Sequence, residues 1–180
     1  MIPASRRFCK RLGSSRGKAN LERLWSPWRS EYIASGDANS EGCVFCVIKE
    51  ASGRDETNLV LYRGSFSFIV LNIYPYITGH LLIVPLDHVG ELESAPKETT
   101  DEMMDLTKRS QRVLRDTYKP SGFNIGMNLG RVAGAGIADH IHIHVLPRWT
   151  GDTNFMSTVG QTRVISEELT TTYRKLRDRF

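Results

Sequence analysis

The stretch His140-Ile141-His142-Ile143-His144-Val145-Leu146-Pro147-Arg148-Trp149 decides how this chain is read. Successive side chains of a strand point to opposite faces, so the alternation puts His140, His142 and His144 on one face and Ile141, Ile143 and Val145 on the other. The aliphatic face predicts a core, and the histidine face predicts three imidazoles about 6–7 Å apart. A solvent-facing cluster or a simple metal site would satisfy one histidine. Three of the chain's five histidines on one strand face favour chemistry instead.

Phe123–Leu129 alternates in the same way and predicts a neighbouring strand. Leu59–Arg63 and Phe66–Asn72, rich in Val, Ile, Leu, Phe and Tyr and separated by Gly64-Ser65, read as a hairpin. A further strand, His80–Pro85, follows the turn Pro75–Gly79. Between Thr99 and Tyr118 apolar residues recur at Met103, Leu106, Val113 and Leu114 with charges between them, the mark of an amphipathic helix bounded by Pro96 and Pro120-Ser121-Gly122. Ser166–Phe180 reads as a charged terminal helix. Strands grouped around one long helix predict an α+β fold with an antiparallel sheet of about five strands. The segment Gly130–Gly136 has neither P-loop nor dinucleotide-fingerprint spacing, but its glycines are suited to bringing backbone amides near a phosphate.

The net charge of +4 belongs to the first 20 residues, which hold Arg6, Arg7, Lys10, Arg11, Arg16 and Lys18 and no acid. The remaining residues are slightly acidic, which disfavours a nucleic-acid binder. Residues 1–20 are expected to be a disordered basic tail, and residues 21–180 one domain. Leu21–Ala34 carries Leu24, Trp25, Trp28, Tyr32 and Ile33, enough apolar surface to require packing on the domain or on a partner. No run approaches the ~20 apolar residues of a membrane span. A cytoplasmic location is favoured, with organelle targeting through the tail as the alternative.

Of the three cysteines, Cys43 and Cys46 form a Cys-x-x-Cys pair at metal-binding spacing. A reduced, buried pair is the competing reading, and thioredoxin-like redox chemistry is disfavoured because the surroundings of that fold are missing.

The HIHIHVLPRW segment matches the His-φ-His-φ-His-φ-φ pattern of the histidine-triad (HIT) superfamily. LWSPWRSEYI, CVFCVI, VLNIYPYITGHLLIVP, GFNIGMNLG and GDTNFM resemble its dinucleoside-polyphosphate branch, which includes diadenosine tetraphosphate phosphorylases. The resemblance runs from about Leu24 to Phe155 and implies a HIT-like fold and a nucleotide hydrolase or transferase. It implies a covalent nucleotidyl intermediate on His142, resolved by water or phosphate. This agrees with imidazole chemistry: a neutral ring is both a nucleophile near neutral pH and a good leaving group from phosphorus. By the same resemblance His144 hydrogen-bonds the α-phosphate, Asn72 holds the ribose, and Asn128 contacts the phosphate side. Phe45, Ile48, Val70 and Ile73 wall the base, and His80 lies on the active-site side, although core packing or a structural histidine would explain these five equally well.

In zinc-containing relatives the Cys-x-x-Cys pair joins a histidine after the third strand and the first triad histidine, which implies Cys43, Cys46, His88 and His140 as a structural zinc site here. Magnesium is expected only with a polyphosphate substrate, and a homodimer with a continuous sheet is implied. One departure stands out: many relatives have Gln or Ser just before the triad, where this chain has Ala135-Gly136-Ile137-Ala138. Phosphoramidate or nucleotide-sulfate hydrolysis is the alternative within the family, and a non-catalytic nucleotide sensor is the alternative outside enzymology.

Overall fold

The computed structural model describes residues 42–154 and 165–180. The expected basic tail, the apolar stretch Leu21–Ala34 and the end of GDTNFM lie outside the described residues.

The described chain runs through helix α1 (Val44–Glu50), strands β1 (Val60–Arg63), β2 (Ser67–Leu71) and β3 (Leu81–Pro85), helix α2 (Lys97–Tyr118), strands β4 (Gly122–Gly126) and β5 (Ile143–Arg148), and helix α3 (Leu169–Leu176). The strands form one antiparallel sheet in the order β1-β2-β3-β5-β4. The α+β sheet with one long and one C-terminal helix is therefore as expected.

Both faces of the central strands are covered, so β2 and β3 are buried along their full length. On one face Ile69, Leu71, Leu81, Ile83, Ile141, Ile143 and Val145 meet Met103, Leu106, Val113 and Leu114 of α2 and Tyr173 and Leu176 of α3. Burial of each such aliphatic side chain contributes about 1.5–3 kcal/mol. On the other face Phe45 of α1 joins Val60, Phe68, Val70, Leu82 and Val84. The alternation in the triad segment thus divides as expected, its aliphatic residues facing α2 and α3.

The boundaries differ in instructive ways. Leu59 has a positive φ of 57°, which ends the extended backbone and starts β1 at Val60. The triad strand starts at Ile143, not His140, because β3 ends at Pro85, which has no N–H to continue the ladder. It runs on to Arg148 because β4 pairs it as far as Gly122. Strand β4 stops at Gly126, opposite His144, where β5 has almost run out of partner residues. Helix α2 ends on Lys119, in the left-handed conformation with its N–H bonded to the Arg115 carbonyl, just before Pro120. Helix α1 had no clear periodic signal: it has seven residues, of which only Phe45 is buried.

Candidate active site and metal centre

His144 lies on β5 opposite Leu82 of β3 and Gly126 of β4. His140 and His142 stand just ahead of the strand, held by the Ile141 N–H donating to the Val89 carbonyl at 2.8 Å. All three side chains lie on the face carrying Phe45, whose ring centroid is 5.3 Å from that of His140 and 5.2 Å from that of His142. His140 and His142 are only 1% and 6% exposed, which excludes a solvent-facing cluster. The rings of His142 and His144 tilt toward each other to a centroid distance of 4.8 Å, closer than the strand repeat suggests.

Main-chain groups fix where the protons sit. His142 Nδ1 lies 3.0 Å from the His140 carbonyl, which only accepts, so Nδ1 carries the proton and Nε2 the lone pair. His140 Nε2 likewise donates to the Pro85 carbonyl at 2.9 Å, leaving the lone pair on Nδ1. His80 Nδ1 accepts from the Tyr76 N–H at 3.2 Å and faces the Asn72 amide nitrogen at 3.3 Å. Its Nε2 therefore carries the proton and donates to His144 Nδ1 at 2.9 Å, which places the proton of neutral His144 on Nε2. The result is a lone pair on Nε2 of neutral His142 beside an N–H donor on His144. Burial favours these neutral forms: it pulls His142 and His140 below the usual imidazole range, and with neighbouring His144 and His142 it lowers His80 to about 3.

Tyr76 completes this arrangement. Its backbone sets the His80 tautomer, and its ring lies 4.7 Å from the His80 ring and stacks on His144 at 5.9 Å. Nothing in the sequence singled it out except its position four residues before His80. His80 itself is a buried part of the hydrogen-bond chain.

The four sulfur and nitrogen candidates meet as one cluster. Ligand atoms of Cys43, Cys46, His88 and His140 lie within 4.8 Å of one another. His140 Nδ1 is 3.3 Å from Cys43 Sγ and 3.8 Å from Cys46 Sγ, and His88 Nδ1 is 3.4 Å from Cys46 Sγ. Tetrahedral zinc with these donors needs separations of about 3.3–3.8 Å, so the donor set fits with small side-chain adjustments. Burial, then the charge of Cys43, raises the Cys46 thiol, a penalty that a divalent cation would reverse.

The expected nucleotide contacts are less uniform. Phe45 and Val70 are core residues, Ile48 is half-buried, and Ile73 is 56% exposed, so accessible apolar surface comes from Ile48 and Ile73. Asn72 is engaged locally: its Oδ1 accepts from the Tyr74 N–H at 2.9 Å. Asn128 Nδ2 donates to the Gly134 carbonyl at 3.4 Å, bracing the glycine-rich loop. A cavity of about 670 Å³ behind Tyr76 is lined by Tyr118, Arg148, Trp149 and Lys175 among others, and by none of the five histidines. There Arg148 bonds Asp152 through two nitrogens at 2.5 and 2.7 Å, shaping the turn after β5.

A five-stranded antiparallel sheet presenting a histidine triplet on one face defines the class, and residues 54–151 match the HIT domain model: the chain belongs to the HIT family. Among particular relatives, it is 42% identical over 163 residues to the AP-4-A phosphorylase of Mycobacterium tuberculosis, covering 87% of this chain and 83% of that protein. Among solved structures, a Zn-bound histidine triad family protein from Mycobacterium smegmatis superposes with a TM-score of 0.63 and 29% identity, covering 77% of this chain and 92% of that one. A hypothetical histidine triad nucleotide-binding protein from Sulfolobus tokodaii gives a TM-score of 0.60 and 27% identity over 76% of this chain and 91% of that chain.

Proposed function

We propose that the protein cleaves dinucleoside polyphosphates such as diadenosine tetraphosphate at the α-phosphate, through a nucleotidyl group carried on His142. The observation that carries this is the pairing of His142, deprotonated at Nε2, with His144, protonated at Nε2. The His142 lone pair forms a bond to the α-phosphorus, and the bond to the bridging oxygen breaks, its electrons leaving with the rest of the polyphosphate. Phosphate, through an anionic oxygen, or water, which releases a proton to solvent, then attacks the same phosphorus, and the P–N electron pair returns to Nε2. Throughout, Nδ1–H stays on the His140 carbonyl, which stabilises the positive charge on the substituted ring. His144 donates to a non-bridging oxygen as charge grows there, the geometry in which an N–H lowers a barrier most. The 42% identity to a phosphorylase favours phosphate over water as the acceptor.

In this reading Ile48 and Ile73 offer apolar surface to the base, Phe45 and Val70 pack behind them, and Asn72 and Asn128 contact the ribose and phosphate sides. Cys43, Cys46, His88 and His140 hold zinc, which would neutralise the paired thiolates and fix the segment that presents His142. Magnesium enters only as an ion carried by the polyphosphate. The edge of β4, where Ile125 is 43% exposed, supports a homodimer with a sheet continuing across it. Cys-x-x-Cys metal ligation supports a reducing compartment, the cytoplasm. No helix among the described residues is long and apolar enough to cross a membrane.

The test is chromatographic separation of products from diadenosine tetraphosphate with and without inorganic phosphate. Phosphate-dependent ADP plus ATP is expected; AMP plus ATP without phosphate makes water the acceptor; no turnover under either condition overturns the substrate class.

A further inference from the structure

We infer that Arg63 is a positioning residue for the metal centre: its guanidinium clamps the end of the helix that carries Cys46 and is capped by Cys43. This rests on the zinc reading above. Helix α1, from Val44 to Glu50, is less than two turns long, and its N-cap Cys43 makes no side-chain capping bond. A helix this short does not persist on its own propensity, so its placement depends on what grips it. Phe45 grips it from below, within the cluster on β1, β2 and β3.

Arg63 grips its end. One guanidinium nitrogen, Nη2, donates to the Ile48 carbonyl at 2.8 Å, and Nη1 donates to the Lys49 carbonyl at 3.2 Å. These belong to the last carbonyls of the helix, which have no partner within it. Nε and Nη2 meanwhile hold Asp55 Oδ1 at 3.0 and 2.8 Å, which sets the plane of the fork. The guanidinium carbon also lies 5.8 Å from the ring centre of Phe68, a member of the Phe45 cluster.

The consequence reaches the reactive residues. Rotating or lifting α1 moves Cys46 against Cys43 and His140, and moves Phe45 against the rings of His140 and His142. Two carbonyls and a carboxylate are engaged at once, which the planar five-donor fork of arginine can do and the single ammonium of lysine cannot. An ordinary surface ion pair would tolerate that exchange.

The experiment compares the full-length protein with Arg63→Lys, Arg63→Met and the milder Asp55→Asn. Metal affinity is read by competition with a chromophoric zinc chelator, and site geometry by the visible spectrum of the cobalt(II)-loaded protein. Wild type is expected to give the intense bands of tetrahedral cobalt with thiolate ligands. Both Arg63 variants should lose zinc affinity by about 10-fold or more and show weakened cobalt bands, with lysine giving no rescue, and Asp55→Asn should fall between. If the Arg63 variants do not fold, Asp55→Asn decides by the same readouts. Wild-type affinity and spectrum in every folded variant would overturn the inference while leaving the metal site standing. A wild-type protein without a tetrahedral cobalt spectrum would overturn the metal reading, and this inference with it.

Discussion

His142 donates its Nδ1 proton to the carbonyl oxygen of His140, 3.0 Å away, while His140 directs its own Nδ1 lone pair at Cys43 and Cys46. The orientation of the proposed nucleophile and the assembly of the metal cluster therefore pass through one residue. Removing zinc with a chelator is expected to lower the melting temperature by about 5–10 °C, because an ion at about a hundred times its dissociation constant contributes ~2.7 kcal/mol to the folded state. Calorimetry with the zinc content measured in parallel checks this; a metal-free protein melting like the loaded one would contradict it.

His144→Ala removes the N–H placed to meet charge on the phosphate. A fall in kcat of about 10²–10³-fold is expected, with KM within a few-fold of wild type. Steady-state kinetics separate the two parameters, and a change confined to KM would assign His144 to ground-state binding instead.

The chain Tyr76 N–H to His80 to His144 requires neutral His80, and burial with its histidine neighbours holds that group at about 3 against an ordinary 6.5. A lowered histidine pKa means the unfolded chain binds the extra proton first. The contribution of His80 is therefore complete above pH ~6.5 and is lost as pH falls toward 3. One such group gives a slope of about 1.4 kcal/mol per pH unit within that window. Urea titrations at pH 4–6 on wild type and His80→Asn should differ by most of that slope, and parallel pH profiles would remove His80 from the account.

Gly79, directly before His80, has a φ of 77°, and a Cβ there would lie 3.2 Å from Leu114 Cδ2. Gly79→Ala combines left-handed backbone strain with a crowded contact against α2. It should destabilise the fold by about 1–3 kcal/mol in denaturant titration, whereas a loss below ~0.5 kcal/mol would mean that the turn can relax.

Much of this was legible in the sequence because it rests on periodicity. The alternation from His140 to Val145 gave both the buried aliphatic face and the shared histidine face, and the spacing of Met103, Leu106, Val113 and Leu114 gave α2. Cys43 and Cys46 were nameable from type and spacing, and His88 and His140 from the resemblance to zinc-containing relatives, although only folding brings residues 97 positions apart to 3.3 Å. What escaped depends on contacts that leave no local pattern. Helix α1 is too short to show a period, and Tyr76 and Arg63 act through main-chain partners. The direction of each imidazole proton depends on which carbonyl or amide faces it. Val70, set in the base wall by resemblance with core packing as the alternative, is buried between the two layers, a distinction that residue type alone does not make.

Trapping the nucleotidyl enzyme tests the role of His142 as nucleophile. Wild-type protein mixed with diadenosine tetraphosphate without phosphate acceptor, quenched in alkali on the millisecond scale and digested for mass spectrometry, should carry an adenylyl group on the His142 peptide. Phosphorus NMR of the trapped protein should place the P–N bond at Nε2, and His142→Ala should show neither adduct nor turnover. An adduct on another residue, or turnover by His142→Ala at the wild-type rate, would contradict the assignment of His142 as the nucleophile.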